Sequence, residues 1–336
     1  MSAATPIDLA IVGAGPCGIA AGIAAARAGL SCTLFDQRYV ASSIGRYPTF
    51  MTFFSTAERL EIGEVPFTIA GDKPTRREAL RYYQRLADHF QLDVRQYHKV
   101  ESVTGTHGNF VVCARSRAGS LTQVSARNIV FATGYFDHPN RLDVPGAHLD
   151  KVRYGYDQGH EFFRQDVVIV GGGNSAVDAA LELFRWKAHV TLVHFAAELD
   201  AGVKPWVLPD ILGRIRAGEI HAIFHSRVAE ILPDAVLLRD ERSGSLQRIP
   251  NDWVLAMTGY RPQPGLLHAL GVGFDAQSGK PDHDPLSMQT NVPGVFIAGV
   301  LAAGHDANKV FIENGRDHGA RIAMHIVHGR GGGARD

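Results

Sequence analysis

The chain has 336 residues, which suggests about two domains at roughly 150 residues per domain. Hydrophobic residues make up 45% and charged residues 20% of the chain, a balance that excludes an intrinsically disordered chain, a collagen and a disulfide-rich mini-protein. The 34 basic and 34 acidic side chains cancel, so the chain lacks the excess positive charge of a nucleic-acid-binding protein.

Cysteine usage and hydrophobicity indicate a protein of the cytoplasm. Cys17, Cys32 and Cys113 are too few and too scattered for a disulfide framework, and an odd number of cysteines fits a reducing compartment. The longest uncharged run, Leu9 to Ala26, is interrupted by four glycines and Pro16, and no basic segment precedes it. We therefore expect neither a membrane span nor a signal peptide.

A nucleotide-binding pattern lies near the start of the chain. The apolar run Ile7–Val12 predicts a buried parallel strand, and Gly13–Gly18 follows it with the spacing G-x-G-x-x-G. A helix is predicted over Ile19–Ala28, then a strand over Ser31–Phe35 that ends in Asp36. Glycines allow the tight turn and the close approach of a pyrophosphate, the helix N-terminus attracts its charge, and the acid binds a ribose. This pattern predicts dinucleotide binding.

The same pattern recurs in the second half of the chain. A strand is predicted over Val167–Val170, followed by Gly171–Ala176 with the spacing G-x-G-x-x-A, a helix over Ser175–Lys187 and a strand over Val190–Val193 that ends at His194. The two glycine turns begin 158 residues apart (171 − 13). That separation is too long for a solenoid repeat and predicts a second dinucleotide-binding domain.

The two patterns differ at the residue that ends the second strand. Asp36 suits a free ribose 2′-hydroxyl, whereas His194 presents no carboxylate that would repel a 2′-phosphate, and Lys187 and Lys204 lie nearby in sequence. The first site is therefore predicted to bind the ADP half of FAD and the second NADPH. A surface histidine at a strand end is the alternative interpretation of His194.

Three further segments suggest how the two domains are connected. Asn128–Gly134 and Val254–Tyr260 each combine an apolar strand with a small-residue turn, and Asn291–Val300 is typical of a strand that closes a flavin domain. The predicted fold is α/β, with two Rossmann-like domains and the second inserted in the first. We assign residues 1–139 and 262–328 to the FAD domain, 140–261 to the NAD(P)H domain, and the glycine-rich residues 329–336 to a flexible tail.

These landmarks together resemble the low-molecular-weight thioredoxin reductase family of flavoproteins. That family carries a C-x-x-C dithiol just before its nucleotide strand, but the corresponding stretch here, Tyr154–Asp157, has no cysteine. No C-x-x-C occurs anywhere in the sequence. Reduction of thioredoxin by the usual dithiol relay is therefore excluded.

A narrower resemblance rests on five segments: Ser43–Thr49 (SIGRYPT), Met51–Gly63 (MTFFSTAERLEIG), Glu78–Tyr83 (EALRYY), Lys204–Asp210 (KPWVLPD) and Phe311–Arg316 (FIENGR). This set resembles the bacillithiol disulfide reductase family. The resemblance implies FAD, NADPH and reduction of a low-molecular-weight thiol disulfide, and it matches Cys17 to a cysteine of that family. The sequence departs from the pattern of that family at Phe195, where an arginine is frequent, and from that of the wider thioredoxin reductase family at Gly299-Val300, where Gly-Asp is usual.

Cys17 is the candidate catalytic residue. It lies at the first turn of a predicted helix, where the dipole and the unpaired N–H groups lower a thiol pKa. A thiolate there could attack a substrate disulfide. The alternative is that this position only accepts a small residue beside the pyrophosphate. No metal is expected, because His221 and His225 are not part of an H-E-x-x-H motif.

The predicted partners are FAD, NADPH and a small-molecule disulfide, and we expect a homo-oligomer, dimer or tetramer. The alternatives are a ferredoxin–NADP reductase of this fold, for which Cys17 is dispensable, and a redox-sensing flavoprotein without turnover. Two complete nucleotide patterns favour turnover, because a sensor needs only one nucleotide. The residues predicted to bind FAD are Gly13, Ala14, Gly15, Pro16, Cys17, Gly18, Asp36, Gln37, Tyr47, Val100, Ala132, Thr133, Gly134, Gly299 and Val300. The residues predicted to bind NADPH are Gly171, Gly172, Gly173, Asn174, Ser175, His194 and Lys204.

Overall fold

The computed structural model describes residues 5–262, 264–306 and 309–331. The chain divides into two compact units, of which one, Pro139–Tyr260, is inserted between the two segments of the other. This confirms the predicted insertion. The boundaries of the inserted unit lie at 138/139 and 260/261, whereas the sequence placed them at 139/140 and 261/262.

Strands and helices alternate along most of the chain. The strands are β1 (Ile7–Val12), β2 (Cys32–Phe35), β3 (Asp93–Arg95), β4 (His98–Thr106), β5 (Asn109–Ser116), β6 (Leu121–Phe131), β7 (Val152–Arg153), β8 (Asp166–Val170), β9 (His189–Val193), β10 (His221–Ile223), β11 (Ser226–Leu232), β12 (Ala235–Asp240), β13 (Leu246–Pro250), β14 (Trp253–Ala256) and β15 (Val295–Ile297). The helices are α1 (Pro16–Arg27), α2 (Ala57–Leu60), α3 (Arg76–His89), α4 (Asn174–Arg185), α5 (Leu208–Arg216), α6 (Gly265–Ala269), α7 (Ile312–Gly315) and α8 (His318–Gly331). Among these described residues, no helix combines the length and the apolar character needed to cross a membrane.

The first unit is built on a seven-stranded sheet. Its order is β3-β2-β1-β6-β5-β4, with β15 also paired to β6. The pairs β2–β1, β1–β6 and β15–β6 are parallel, whereas β4 and β5 join as an antiparallel extension. Leu9–Val12 of β1 are all apolar and buried, because a parallel strand inside the sheet is covered on both faces.

Helix α1 begins earlier than the sequence predicted. Pro16 occupies its first turn, where the missing N–H costs no hydrogen bond, and Gly15 precedes it in an extended conformation. Gly29 follows the helix with a φ of +69°, a conformation that ends helices. The helix therefore starts directly at the glycine turn.

The second unit holds two sheets. The first is parallel with the order β10-β9-β8-β14-β7, and the second is antiparallel with the order β11-β12-β13. Helix α4 buries its alanines and Leu183 in the same core as Val167, Ile169 and Leu192 of the parallel sheet. The strand–turn–helix–strand pattern of the sequence is thus present in both units, which confirms the predicted pair of Rossmann-like folds.

The last helix corrects the predicted end of the folded chain. Helix α8 runs through Gly331, so residues 329–331 are helical and do not belong to a flexible tail. The Arg330 guanidinium forms an ion pair with Asp8, which anchors this last turn to the start of β1. Residues 332–336 of the predicted tail lie outside the described residues.

Candidate functional site

The carboxyl ends of four parallel strands of the first unit are aligned. Val12 is paired with Phe35 on one side and with Phe131 on the other, and Phe131 is paired with Ile297. The residues that follow these strand ends therefore share one edge of the sheet: Gly13, Asp36, Ala132 and Ala298. Nucleotides bind at this edge in open α/β sheets.

The first glycine turn leaves space where a ligand would need it. Gly13 has a φ of +109°, and a Cβ there would collide with the carbonyl of Ala132. A Cβ on Gly18 would collide with the carbonyl of Gly13. At Gly15, by contrast, a Cβ would meet no described atom within 4 Å, so the second glycine faces an open region. The turn thus fits the close approach of a pyrophosphate.

Asp36 is fixed beside this turn. The Ala14 N–H donates to its Oδ2 at 2.9 Å, and the Arg38 N–H donates to its Oδ1 at 2.8 Å. Burial raises the pKa of the Asp36 carboxyl above its ordinary value, while the two backbone hydrogen bonds act in the opposite direction. A side-chain hydrogen bond with Ser42 also lowers this pKa. A carboxylate has about four acceptor positions, so capacity remains for a ribose hydroxyl.

The other residues of the first unit that were predicted to bind FAD differ in their exposure to solvent. Val100 is buried in β4, and the start of that strand is tied to the site because the His98 N–H donates to the Asp36 carbonyl at 2.8 Å. Gln37 is exposed, and Thr133, Gly134 and Val300 are half-buried. The Tyr47 ring is half-buried and meets the rings of Phe53 and Phe136 edge-on.

Arg46 is a candidate ligand residue that the sequence reasoning did not select. Its Nη1 lies 2.9 Å from Asp137 Oδ1, and its guanidinium carbon lies 5.2 Å from the centre of the Phe136 ring. Its Nε and Nη2 are buried and have no hydrogen-bond partner among the described residues. Buried donors without an acceptor are rare in proteins, so Arg46 fits contact with an anionic group. The sequence signal was an arginine inside the mostly apolar stretch SIGRYP.

Cys17 lies at the junction of three segments of the first unit. A Cβ on Gly299 would lie 3.0 Å from its Sγ, and a Cβ on Gly315 would lie 2.9 Å from it. The thiol therefore touches the turn after β15 and the end of α7. These two glycines are required by the close approach of the sulfur atom.

The surroundings of Cys17 contradict its expected acidity. Burial raises the pKa of the thiol to about 12, although the residue stands in the first turn of α1. Desolvation is the sole cause of this shift, so no described cation stabilises a thiolate here. The sequence prediction of a lowered pKa is wrong, because a helix start lowers a pKa only where the thiolate stays solvated or paired with a cation.

The second unit repeats the aligned strand ends. Val170 is paired with Val193 and with Ala256, which places Gly171, His194 and Met257 at one edge of the parallel sheet. A Cβ on Gly171 would collide with the carbonyl of Met257. A Cβ on Gly172 would lie 2.6 Å from the His194 ring, so this ring covers the glycine turn.

The loop after β9 closes over the second glycine turn. The Asp200 N–H donates to the Gly172 carbonyl at 3.0 Å, and the Lys204 N–H donates to Asn174 Oδ1 at 3.0 Å. Asn174 also donates from Nδ2 to the Gly202 carbonyl at 2.9 Å. Asn174 thus holds the loop at the turn, whereas Ser175 is exposed.

Both basic residues predicted for the 2′-phosphate stand beside carboxylates. His194 is 3% exposed, and its Nε2 lies 3.2 Å from Asp200 Oδ1 without a well-aligned hydrogen bond. Lys204 Nζ donates to Asp178 Oδ2 at 2.6 Å, and burial lowers the pKa of Lys204 while Asp178 opposes that shift. His194 itself presents no carboxylate, but Asp200 of the following loop brings one to its ring. Sequence reasoning missed both acids, since neither follows a strand directly.

Comparison with known proteins identifies relatives over nearly the whole chain. Residues 10–299 match the model of the family described as pyridine nucleotide-disulphide oxidoreductase. The chain is 42% identical to the Bacilliredoxin reductase Bdr of Bacillus subtilis, over 94% of this chain and 96% of that protein. The solved structure of the Bacillithiol Disulfide Reductase Bdr from Bacillus cereus is 40% identical, with a TM-score of 0.93 over 96% of this chain and 99% of that one. The T. acidophilum thioredoxin reductase, 22% identical with a TM-score of 0.76 over 97% of this chain and 99% of that one, shares the fold.

Proposed function

Since this chain belongs to the pyridine nucleotide-disulphide oxidoreductase family, and within it to the bacillithiol disulfide reductases, we propose that it reduces bacillithiol disulfide with electrons from NADPH. It is an enzyme of the flavin-dependent disulfide reductase kind, and its cofactors are FAD and NAD(P)H. The overall reaction consumes one NADPH, one proton and one disulfide, and it releases NADP⁺ and two thiols.

The observation that carries this proposal is the pair of separate dinucleotide cradles in one chain. In the first unit, the open space at Gly15, the start of α1 and the fixed carboxylate of Asp36 fit the ADP half of FAD. Arg46 adds buried guanidinium donors that fit an anionic group. In the second unit, the Gly171–Gly173 turn at the start of α4 fits a nicotinamide dinucleotide. When bound, FAD accepts a hydride from the nicotinamide and supplies two electrons to the disulfide.

Cys17 is proposed as the residue that meets the substrate disulfide. Its Sγ touches Gly299, in the turn that was predicted to contact the flavin. Because its pKa is about 12, Cys17 is a neutral thiol at neutral pH and must lose its proton during turnover to attack a disulfide. The attack would join Cys17 Sγ to one sulfur of the substrate and release the other sulfur as a thiol. Two electrons that NADPH supplies through FAD, with two protons, would then cleave this mixed disulfide, release the second thiol and restore the Cys17 thiol.

The choice of electron acceptor tests the proposed function. We expect the purified protein to release FAD on denaturation. We also expect NADPH to be oxidised much faster with bacillithiol disulfide than with ferredoxin or without an acceptor. The ferredoxin–NADP reductase of Granulibacter bethesdensis is 28% identical to this chain, which makes ferredoxin the appropriate competing acceptor. Oxidation supported only by ferredoxin would contradict the proposal.

The variant Cys17→Ser separates disulfide chemistry from flavin reduction. Hydride transfer to the flavin requires no protein thiol, so NADPH oxidation with a quinone acceptor should persist. Disulfide reduction should fall at least roughly tenfold, about 1.4 kcal/mol of transition-state stabilisation. Equal disulfide reduction by the variant and the wild type would assign Cys17 a packing role only. Measuring bound FAD in both proteins controls for damage to the cradle.

We also propose the cellular compartment and the oligomeric state of the enzyme. The three cysteines are all free, which supports a reducing, cytoplasmic compartment. A homo-oligomer, dimer or tetramer, is proposed as well, and sedimentation velocity would measure it.

A further inference from the structure

An arginine stands over the residue that follows His194. Phe195 is 50% exposed, and the guanidinium carbon of Arg227 lies 4.2 Å from the centre of its ring. This distance is typical of a cation stacked on an aromatic face. Phe195 in turn contacts the His194 ring, with ring centres 4.6 Å apart. The three side chains thus form a continuous group at the end of β9.

Backbone hydrogen bonds place Arg227 at this strand end. The His194 N–H donates to the Ile223 carbonyl at 2.9 Å, and the Ser226 N–H donates to the His194 carbonyl at 3.0 Å. The chain therefore leaves β10, turns beside His194 and starts β11 with Ser226 and Arg227. The position of the guanidinium follows from this fixed backbone as well as from stacking.

The guanidinium has donors left for a ligand. Arg227 Nε donates to Glu241 Oε2 at 2.8 Å, and its two Nη nitrogens have no hydrogen-bond partner within the described ranges of the chain. Arginine binds phosphate through parallel N–H donors of its planar fork. One edge of Arg227 is oriented by Glu241, and the Nη donors are available to an anion.

The end of the second strand of a Rossmann fold is where the adenosine ribose is recognised, and an arginine nearby accommodates a 2′-phosphate. Residue 195 is a phenylalanine and cannot do so. We propose that Arg227, stacked on Phe195, binds the 2′-phosphate of NADPH and thereby determines the preference for NADPH over NADH. This inference rests on the proposed function, because it assigns the nucleotide of the same reaction.

Other charges at this strand end make the expected preference modest. Asp200 lies on the side of His194 that faces the glycine turn, since its Oδ2 would be 3.1 Å from a Cβ on Gly173. Its carboxylate and that of Glu241 repel a phosphate. Arg239 stands directly opposite Arg227 in the β11–β12 register and adds a positive charge.

Adenosine phosphates test the inference without hydride transfer. The FAD-loaded enzyme is titrated calorimetrically with 2′,5′-ADP, which carries the 2′-phosphate, and with 5′-AMP, which lacks it. Arg227→Ala should weaken binding of 2′,5′-ADP about tenfold, as expected for loss of a charge-assisted hydrogen bond, and leave 5′-AMP within about twofold. Arg227→Lys and Phe195→Leu should give intermediate losses of affinity for 2′,5′-ADP. Lysine lacks the paired N–H donors of the guanidinium, and leucine lacks the aromatic face on which it stacks.

The matched control is Arg248→Ala. Arg248 is another half-exposed arginine of the same antiparallel sheet, and it pairs with Asp234 as Arg227 pairs with Glu241. Its loss should change neither titration. In turnover, Arg227→Ala should lower kcat/KM for NADPH about tenfold and leave kcat/KM for NADH unchanged.

Two results would overturn the inference: unchanged binding of 2′,5′-ADP by Arg227→Ala, or equal losses for 2′,5′-ADP and 5′-AMP. A failure of the proposed function is distinguished from both. If the wild type oxidises neither nucleotide when disulfide is present, the proposed function fails, while the two titrations still decide the role of Arg227. If the wild type reduces disulfide equally well with NADH and NADPH, and Arg227→Ala binds 2′,5′-ADP as tightly as the wild type does, the inference fails while the proposed function stands.

Discussion

His318 is kept neutral by its surroundings. It is 7% exposed, and its Nδ1 accepts a hydrogen bond from the Gly299 N–H at 3.1 Å. Burial, together with the nearby charges of Arg321 and His283, lowers the pKa of His318 to about 4, while Asp317 opposes this shift. The hydrogen bond requires an unprotonated Nδ1 and holds the turn that touches Cys17.

This histidine predicts a loss of stability in mild acid. Because its pKa is lower in the folded state than in the unfolded state, the unfolded chain binds the proton first as the pH falls below about 6.5. Stability linked to His318 is therefore present above pH 6.5 and is lost between pH 6.5 and pH 4, with about 2 kcal/mol lost from pH 7 to pH 5. Asparagine offers an acceptor near the position of Nδ1 and does not titrate. His318→Asn should therefore lose about 2 kcal/mol less than the wild type over this range.

Urea unfolding of the apoprotein at both pH values measures this difference. His325→Asn, an exposed position of the same helix, is the control and should follow the wild type. An identical pH dependence for His318→Asn and the wild type would show that His318 already titrates normally in the folded chain.

The predictable residues of the site are those whose role follows from local sequence. Gly13 and Asp36 could be selected because a strand, a turn, a helix and a second strand place them within a single supersecondary unit. The acidity of Cys17 could not be predicted, since Gly299 and Gly315, which bury its sulfur, lie almost 300 residues away in the sequence. Asp200 and His318 were missed because each comes from a chain segment outside the nucleotide-binding patterns.

Helices α1 and α7 approach so closely that residue 315 of α7 must be a glycine. Gly315 lies in α7, and a Cβ there would be 2.9 Å from Cys17 Sγ and 3.2 Å from the Gly299 Cα. Its φ is not among the positive values of the chain, so an alanine is excluded by space and not by backbone conformation. The two helices therefore pack against each other through the Cys17 sulfur.

A double-mutant cycle measures this coupling. Gly315→Ala should destabilise the wild type by about 1–3 kcal/mol, the cost of overpacking a filled core. In a Cys17→Ala background the part of this penalty that comes from the sulfur atom should vanish, whereas the part that comes from the 3.2 Å approach to the Gly299 Cα should remain. Gly213→Ala in α5 is the control: a Cβ there meets no described atom within 4 Å, and alanine should stabilise the helix by up to about 1 kcal/mol. Additive effects of Cys17→Ala and Gly315→Ala would refute the steric coupling.

The elements that carry the nucleotide patterns were predictable within one to three residues. Strand β1 matches its prediction, and α4 runs over Asn174–Arg185 where the sequence predicted Ser175–Lys187. The turn after β15 was predicted as part of a strand, but Gly299–Ala303 is a short 3₁₀ helix. Gly299 has a φ of +70°, which a strand does not accommodate, and apolar composition alone does not reveal such a break. The antiparallel sheet β11–β13 carries no nucleotide motif and was not predicted.

The insertion of one dinucleotide fold within another gives each unit its own predicted nucleotide site. The first unit carries the cradle that fits FAD together with Cys17, and the second carries the turn, His194 and Arg227. This organisation was predictable because each unit repeats the same local pattern, 158 residues apart (171 − 13). Neither fold identifies the substrate, since fold and cofactors do not determine which electron acceptor an enzyme reduces.

Counting thiols against NADPH in anaerobic solution tests the disulfide reductase function most directly. Known amounts of NADPH are added to catalytic enzyme and excess bacillithiol disulfide, and the thiols formed are titrated after quenching. Two thiols for each NADPH consumed are expected, because one hydride supplies the two electrons that break one disulfide. Consumption of NADPH without release of thiols, at the same rate with and without disulfide, would contradict the proposed function.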